Sequence, residues 1–265
     1  MHTRDIQSAV IIGAGNMASQ LGMALTGHGV RVAEVFNRSK DAGMTLASNL
    51  GARYVANLKE LSPDADLYIL AVSDAAIALI AAELRVGNKL VVHTSGPTPL
   101  SILAGTSVNT GVFYPLQTFS PAGTDGFGGI PVCLEAGTTY GAEQLKRLAE
   151  KLTPLVYFID SDRRRVLHLA AVFACNFSNF MNAVAEDILA SQDIPFELLV
   201  PLIRQTAENA GRGKVFGLQT GPAVRGDLQV LASHRELLAG DPGYLEIYNL
   251  ISSNIIKYKS KHGKL

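Results

Sequence analysis

The segment Val10-Ile11-Ile12-Gly13-Ala14-Gly15-Asn16-Met17-Ala18 is the strongest indication of how this chain folds. A run of β-branched residues leads into a Gly-x-Gly-x-x-Ala turn, and a helical pattern follows from Ala18 to Leu25. This strand, turn and helix form the context that the dinucleotide-binding fingerprint requires. Gly13 permits the sharp turn, Gly15 lets backbone N–H groups approach a pyrophosphate, and the positive end of the helix dipole faces the anion. The sequence therefore predicts a nucleotide site formed by Gly13, Gly15, Asn16, Met17 and Ala18.

The end of the second predicted strand indicates which nucleotide binds. Val30 to Phe36 reads as this strand, and Asn37-Arg38-Ser39 follows it, about twenty residues after the glycines. NAD sites usually carry Asp or Glu here to accept hydrogen bonds from the ribose 2′-hydroxyl, whereas a guanidinium can pair with a 2′-phosphate. Glu34, the nearest acid, lies inside the strand, and Arg38 could also be a solvated surface charge. We predict that Asn37, Arg38 and Ser39 select NADPH over NADH.

The first 160 residues alternate short apolar runs with helical stretches, which is the pattern of a Rossmann α/β fold with a doubly wound parallel sheet. Strands are predicted at Val10–Ile12, Val30–Phe36, Arg53–Val55, Leu67–Val72, Lys89–His93, Gly111–Phe113, Pro131–Leu134 and Val156–Ile159. Helices are predicted near Ala18–Gly27, Lys40–Leu50, Asp74–Leu84, Pro97–Leu103 and Ala142–Leu152. The glycine-rich segment Pro115–Gly129 reads as a long loop.

Strand signals stop after Asp160, so the sequence predicts an NADP-binding domain over residues 1–160 and an all-α helical domain over residues 161–265. Ser161 or Asp162 can cap a helix of roughly 28 residues that runs to about Ala190. This helix is nearly apolar on all sides, so one small domain can hardly cover it. We expect the helical domain to contact substrate and to join two protomers in a homodimer. Further helices fit Phe196–Asn209, Leu228–Ala239 and Leu245–Lys259.

Composition excludes several classes of protein. The chain has 265 residues, of which 48% are hydrophobic and 17% charged, and its formal net charge of zero leaves no electrostatic footprint for nucleic acid. No apolar run reaches the roughly twenty residues of a membrane span, and Met1–Gln7 lacks the apolar core of a signal peptide. Cys133 and Cys175 lie in separate apolar segments without metal-ligand spacing, and the six histidines are scattered. We expect a cytoplasmic protein that holds no metal and acts on a small molecule.

The carboxyl ends of the central strands should line the nicotinamide half of the site, because ligands of open α/β sheets bind there. Ala71-Val72-Ser73 and Thr94-Ser95 occupy these ends. Ser73, Thr94 and Ser95 could hydrogen-bond ribose or carboxamide, and they could equally cap helices. We predict that the cofactor contacts Ala71, Val72, Ser73, Thr94 and Ser95.

The long helix carries a polar stripe around His168. At 100° per residue, four other polar side chains lie within about 80° of it; they are Arg164, Asn176, Asn179 and Asn182. Each would cost about 1–3 kcal/mol if buried without a partner, so either the ligands or core hydrogen bonds should face them. We predict that His168 donates a proton beside the hydride acceptor and that Asn176 assists; the alternative for His168 is a satisfied core histidine.

A turn-rich loop, Thr220–Asp227, interrupts two of the predicted helices. Asp227 is a natural N-cap residue for the helix that follows. Arg225 could clamp a carboxylate of the substrate, or it could bond the last carbonyls of a helix. We predict the clamp.

These residues carry a resemblance to known families. Val10–Ala18, Asn37-Arg38-Ser39 and Leu70-Ala71-Val72 resemble the superfamily of pyrroline-5-carboxylate reductases, 3-hydroxyisobutyrate and 6-phosphogluconate dehydrogenases, and ketopantoate reductases. The whole chain more closely resembles bacterial oxidoreductases with a Rossmann-like domain and a C-terminal domain of unknown function. That closer match rests on His93–Gly96, Tyr114–Phe119, His168–Asn176 and Thr220–Asp227.

One departure from the superfamily bears on the reaction. The hydroxyacid dehydrogenases of the resemblance carry an acid/base lysine on the long helix, where this chain has Phe173, with Asn176 close to their Asn. No lysine occurs between Lys151 and Lys214. We therefore expect an NADPH-dependent oxidoreductase that transfers hydride to a small imine, or to a carbonyl with help from His168, on a substrate that carries a carboxylate. A non-catalytic NADP(H)-binding redox sensor and a deazaflavin:NADP reductase stay open as alternatives.

Overall fold

The computed structural model describes residues 5–120, 126–213 and 215–262 of the chain. Among them, eight strands lie where the sequence predicts strands, with ends that differ by a few residues. Their bounds are β1 Ser8–Ile12, β2 Arg31–Phe36, β3 Arg53–Val55, β4 Leu67–Leu70, β5 Leu90–His93, β6 Asn109–Pro115, β7 Val132–Ala136 and β8 Val156–Phe158. They form a sheet in the order β3-β2-β1-β4-β5-β6-β7-β8, which confirms the Rossmann α/β class.

Two strands, β7 and β8, depart from the predicted parallel arrangement. β7 runs antiparallel to β6, with Phe113 opposite Leu134, while β8 is parallel to β7. A parallel connection needs a crossover, usually a helix, and the described residues between β6 and β7 contain none. The predicted loop Pro115–Gly129 occupies this connection, and its residues 121–125 lie outside the described part of the chain.

The two faces of the sheet bury separate apolar clusters, because successive side chains of a strand point to opposite sides. In β1, Ile11 belongs to one cluster, whereas Val10 and Ile12 belong to the other. Helices cover both faces, as the doubly wound fold requires. Their bounds are α1 Asn16–Gly27, α2 Lys40–Leu50, α3 Asp74–Glu83 and α4 Thr139–Leu152.

The helix predicted over Pro97–Leu103 is shorter in the structure. Only Leu100–Leu103 is helical, and it forms a 3-10 turn. Pro97 and Pro99 explain the difference, because each proline disfavours helical backbone at the residue before it. The segment before the turn therefore stays an irregular loop after β5.

The long helix after the sheet is not regular. It consists of α5 Ser161–Ala171, a π-helical segment Val172–Phe177 and α6 Ser178–Ala190. Its N-cap is Asp160, whose carboxylate accepts a hydrogen bond from the Arg163 backbone N–H at 2.8 Å, and not the predicted Ser161 or Asp162. A π segment changes the rotation per residue. The 100° spacing used for the polar stripe therefore does not extend past Ala171.

The chain divides into two compact units, Met1–Cys175 and Asn176–Leu265. The sequence places this boundary near residue 160, where the strand signals end. The division falls later because α5 belongs to the first unit: the fully buried Arg164 of this helix donates to the carbonyl oxygens of Gly96 and Thr98. Side-chain bonds of this kind are not visible in the strand pattern.

The second unit is helical, as predicted. After α6 it contains α7 Val200–Ala210, α8 Pro222–Arg225, α9 Leu228–Leu237 and α10 Pro242–His262. Its described residues bury little: Ala223, Leu231 and Ser252 are the buried ones. In the part of the chain that the structure describes, no helix combines the length and apolar character needed to cross a membrane.

Candidate active site

The turn after β1 requires glycine at its first position. Gly13 has φ +122°, in the region that side chains rarely adopt, and its N–H donates to the Phe36 carbonyl at 2.8 Å. A Cβ built on Gly13 would lie 2.1 Å from the carbonyl oxygen of Ala71. Gly13 therefore lets the turn pass between the ends of β2 and β4.

Gly15 faces open space. It is the N-cap of α1 with extended backbone, and no side chain caps this helix end. A Cβ built on Gly15 would meet no atom within 4 Å. The unpaired N–H groups of a helix N-terminus attract anions, so this turn can hold a pyrophosphate at close range. Ala18, by contrast, is fully buried against the sheet and supports the close packing of α1.

The end of β2 presents an exposed cation, Arg38, whereas the nearest acid, Glu34, is bonded to other residues. Arg38 is exposed, and its guanidinium contacts no partner among the described residues. Glu34 is buried, and its carboxylate accepts from Arg53 Nη2 at 2.5 Å and from the Ser62 backbone N–H at 2.9 Å. Asn37 donates its amide hydrogen to the Ser39 carbonyl. The free charge at this strand end is therefore positive.

A cavity of about 800 Å³ joins these two features to the carboxyl ends of β4 and β5. Most of the predicted cofactor residues line it; they are Gly13, Gly15, Asn16, Met17, Asn37, Arg38, Ala71, Val72, Ser73, Thr94 and Ser95. Ala18 and Ser39 do not. His168, the predicted proton donor, lines the same cavity at a distance in sequence from all of these residues.

His168 is paired with Tyr114, for which no chemical role was predicted. The Tyr114 hydroxyl lies 3.2 Å from His168 Nδ1, and the rings meet edge to face with centroids 6.2 Å apart. Burial raises the pKa of Tyr114 to about 12, so its hydroxyl keeps its proton at neutral pH. A Cβ on Gly96 would lie 2.7 Å from His168 Nδ1, so this glycine admits the imidazole. The sequence signal that could have identified Gly96 as a site residue is the Thr94-Ser95-Gly96 stretch after β5.

Arg164 has a structural role, so of the two alternatives left open for the polar stripe, core hydrogen bonds apply at this position. Its side chain is fully buried, and Glu135 pairs with Nη1 while the Gly96 and Thr98 carbonyls accept from Nε at 3.1 Å and Nη2 at 2.6 Å. All three guanidinium nitrogens thus have partners within the protein. Arg164 fixes the loop after β5, which carries residues of the cavity.

His93, the last residue of β5, also stabilises this loop. The Ser95 backbone N–H donates to His93 Nδ1 at 3.2 Å, and Ser95 Oγ donates to Thr98 Oγ1 at 2.7 Å. Burial, and next the charge of Arg164, lower the pKa of His93 to about 4, so the imidazole is neutral near pH 7. Ser95 Oγ also accepts a hydrogen bond from the Thr98 backbone N–H at 3.1 Å, which closes a turn and does not cap a helix.

The remaining predicted residues belong to the second unit. Asn176 is exposed in the π segment, and Arg225 is exposed at the end of α8. Asn179 and Asn182 line a separate cavity of about 450 Å³ that includes Glu186. No described residues gather three or more His, Cys, Asp or Glu side chains as metal ligands would be gathered.

Comparison with known families gives two partial matches. Residues 2–93 match the family of shikimate / quinate 5-dehydrogenase, and residues 130–255 match a domain of unknown function, DUF2520. No protein of curated function matches this sequence.

Among solved structures, a Bacteroides fragilis protein described as a "putative NADP oxidoreductase" is 40% identical, with a TM-score of 0.89 and coverage of 96% of this chain and 98% of that one. An imine reductase from Myxococcus stipitatus in complex with NADP⁺ is 18% identical, with a TM-score of 0.68 over 97% of this chain and 95% of that one. A pyrroline-5-carboxylate reductase from Coxiella burnetii is 16% identical, with a TM-score of 0.59 over 99% and 100%. The last two likenesses concern the fold. With 40% identity over nearly its whole length, the chain belongs to the same family as the Bacteroides fragilis protein, a family of Rossmann-like NADP oxidoreductases with a C-terminal helical domain.

Proposed function

We propose that this chain is an NADPH-dependent oxidoreductase that reduces a small imine or carbonyl compound. The observation that carries the proposal is the cavity of about 800 Å³, which has the N-terminus of α1 at Gly15 and a histidine, His168, on the same lining. Such a reaction needs a cofactor that is bound through its pyrophosphate and a separate group that donates a proton. Family membership supports the cofactor class.

The residues fit NADPH in two respects. The cradle at Gly13 and Gly15 is open where a pyrophosphate would approach, because a Cβ on Gly15 would meet nothing within 4 Å. Arg38, at the end of β2, has a free guanidinium for the 2′-phosphate, while Glu34 is bonded to Arg53. A carboxylate at this strand end would repel that phosphate. Backbone atoms and one cation thus account for cofactor choice.

When bound, NADPH supplies a hydride to the carbon of a C=N or C=O bond, and the π electron pair of that bond passes to nitrogen or oxygen. His168 then gives a proton to that atom, which completes an N–H or O–H bond. The described residues of α5 contain no lysine that could take this part. An iminium substrate already carries the positive charge that attracts hydride and needs no further proton, so its reduction makes the smaller demand on the protein. The imine reductase fold likeness supports the same choice. The proton from His168 is required when the substrate is a neutral imine or a carbonyl.

Two further assignments belong to the second unit and are part of the proposal. Asn176 would hydrogen-bond the substrate, and Arg225 would pair with its carboxylate. Both side chains are exposed and neither has a described side-chain partner. Arg225→Lys should keep the charge but lose bidentate pairing, so the KM for a carboxylate substrate should rise about tenfold with little change in kcat. An unchanged KM would remove Arg225 from the site.

We also propose a homodimer joined through the helical unit. Leu198, Leu202, Leu228 and Leu237 are all at least 63% exposed there, and the unit buries very few of its described residues. A unit of this size cannot be stable with its apolar side chains in water, so a second copy is the occupant we infer. Light scattering at micromolar concentration should give twice the chain mass, and a monomer would contradict the inference.

We place the protein in the cytoplasm, where its two free cysteines would stay reduced.

The activity is tested by screening NADPH oxidation against a panel of cyclic imines and 2-keto acids. Steady oxidation with one of them, lost in His168→Gln while NADPH still binds, is the expected result. NADPH binding without turnover on any substrate would favour a redox sensor. Turnover with a deazaflavin alone would favour a deazaflavin:NADP reductase. Unchanged turnover in His168→Gln would refute the proton-donor role.

A further inference from the structure

Tyr114 and His168 form a pair that three separate elements hold together. Tyr114 comes from β6, His168 from α5, and Gly96 from the loop after β5. The Tyr114 hydroxyl lies 3.2 Å from His168 Nδ1, whereas Nε2 makes no hydrogen bond to any described residue. Both side chains line the large cavity. The one free ring nitrogen of His168 is therefore Nε2.

The surroundings fix the geometry of this pair. A Cβ on Gly96 would lie 2.7 Å from His168 Nδ1 and 2.9 Å from Tyr114 Cζ, so the two rings occupy the space that a side chain would fill. Arg164 holds the Gly96 carbonyl at 3.1 Å and lies one helical turn before His168. The loop and the helix therefore cannot separate without breaking a buried bond.

The charges near Tyr114 leave its hydroxyl protonated. Burial is the main cause of its raised pKa, and Cys133, Asp74 and Cys175 add to it, while Arg164 acts in the opposite direction. A protonated hydroxyl can donate one hydrogen bond and accept others. It can donate to Nδ1 of a neutral imidazole, and it can accept from the Nδ1–H of an imidazolium.

We propose that Tyr114 is a positioning residue that holds the His168 ring in one orientation in both protonation states, so that Nε2 is the nitrogen that gives the proton to substrate. This inference rests on the proposed function. In the step, the Nε2–H bond of the imidazolium breaks and the proton goes to the substrate nitrogen or oxygen that has received the π electrons. The ring is left neutral with its hydrogen on Nδ1, where Tyr114 Oη accepts it, and Nε2 regains a proton from water.

The test is a double-mutant cycle with Tyr114→Phe, which keeps the ring and removes the hydroxyl. A positioned general acid contributes about 100-fold or more, so His168→Gln should lower kcat about 100-fold. Tyr114→Phe should lower kcat about tenfold, with the substrate KM and the Kd for NADPH changed less than twofold. Because Tyr114 acts only through His168, the double variant should be no slower than His168→Gln alone.

Tyr157→Phe is the matched control, because Tyr157 is half exposed on β8 and its hydroxyl has no described partner. It should leave kcat, the substrate KM and the Kd for NADPH unchanged.

Wild-type kcat in Tyr114→Phe, or effects of the two substitutions that multiply in the double variant, would overturn the inference even if His168→Gln is impaired. Wild-type kcat in His168→Gln would instead overturn the proton-donor role of His168, on which this inference rests, and would leave the NADPH-dependent reduction itself standing. A melting temperature close to wild type confirms that Tyr114→Phe is folded, and Gly96→Ala, which crowds both rings, should lower kcat in the same way.

Discussion

Gly13→Ala and Gly15→Ala should separate stability from cofactor binding within one turn. At Gly13, an alanine must adopt φ +122°, which costs about 1–2 kcal/mol for an L-residue. Its Cβ would also lie 2.1 Å from the Ala71 carbonyl oxygen, a backbone atom that has to move. Crowding of this kind costs about 1–3 kcal/mol, so the total destabilisation is about 2–5 kcal/mol.

The same substitution at Gly15 should have the opposite profile. This residue has φ −80°, which any residue adopts, and its added Cβ would meet no atom within 4 Å. Stability should therefore change by about 0.5 kcal/mol or less. The methyl group would project into the space where the pyrophosphate approaches, so the Kd for NADPH should rise about tenfold or more.

The assay is thermal unfolding without ligand, followed by fluorescence titration with NADPH. For a chain of this size, Gly13→Ala should lower the melting temperature by roughly 5–15 °C. Gly27→Ala is the control in the same helix, since a Cβ there also meets nothing within 4 Å. Two results would refute these roles of the turn. They are a melting temperature of Gly13→Ala equal to that of the wild type, and a Kd of Gly15→Ala for NADPH equal to that of the wild type.

Three further predictions concern the rest of the cavity. Arg38→Ala should weaken NADPH binding about 10- to 100-fold in titrations and leave NADH binding nearly unchanged, because only the 2′-phosphate loses a charge-assisted bond; equal losses for both would contradict this. The His93 pKa of about 4 lies below the ordinary 6.5, so the unfolded chain binds the proton first and the free energy of unfolding should fall by about 3 kcal/mol as the pH drops from 6.5 to 4. Denaturant titrations should show this fall in the wild type and not in His93→Gln. Gly96→Ala should lower kcat and leave the Kd for NADPH unchanged, and a loss of NADPH binding would show that the loop, rather than His168, was disturbed.

The parts of the site that the sequence predicts are those in which one short segment carries its own physical reason. Gly13 and Gly15 belong to a turn that follows directly from a buried strand, and the structure confirms the fold around them. Arg38 follows a strand that ends at Phe36, as predicted, so the apolar pattern of that strand was enough to place Arg38 at the strand end. The eight strands were predictable for the same reason.

The parts that escaped prediction depend on contacts between distant segments. Tyr114 and His168 are 54 residues apart, and no periodicity connects them. For Arg164 the sequence left both a ligand and core hydrogen bonds open, because its partners lie in the loop after β5 and in β7, which only the folded chain brings near. The antiparallel direction of β7 depends on a loop whose path has no sequence signature.

The cavity at Gly15 should bind NADPH, and Arg38 should select it over NADH. Fluorescence titration of the wild-type protein with NADPH and with NADH measures this without any substrate. A guanidinium–phosphate bond contributes about 1.5–3 kcal/mol, so NADPH should bind roughly 10- to 100-fold more tightly than NADH. Equal dissociation constants for the two would show that Arg38 does not select the cofactor, and no binding of either would show that the cavity is not a dinucleotide site.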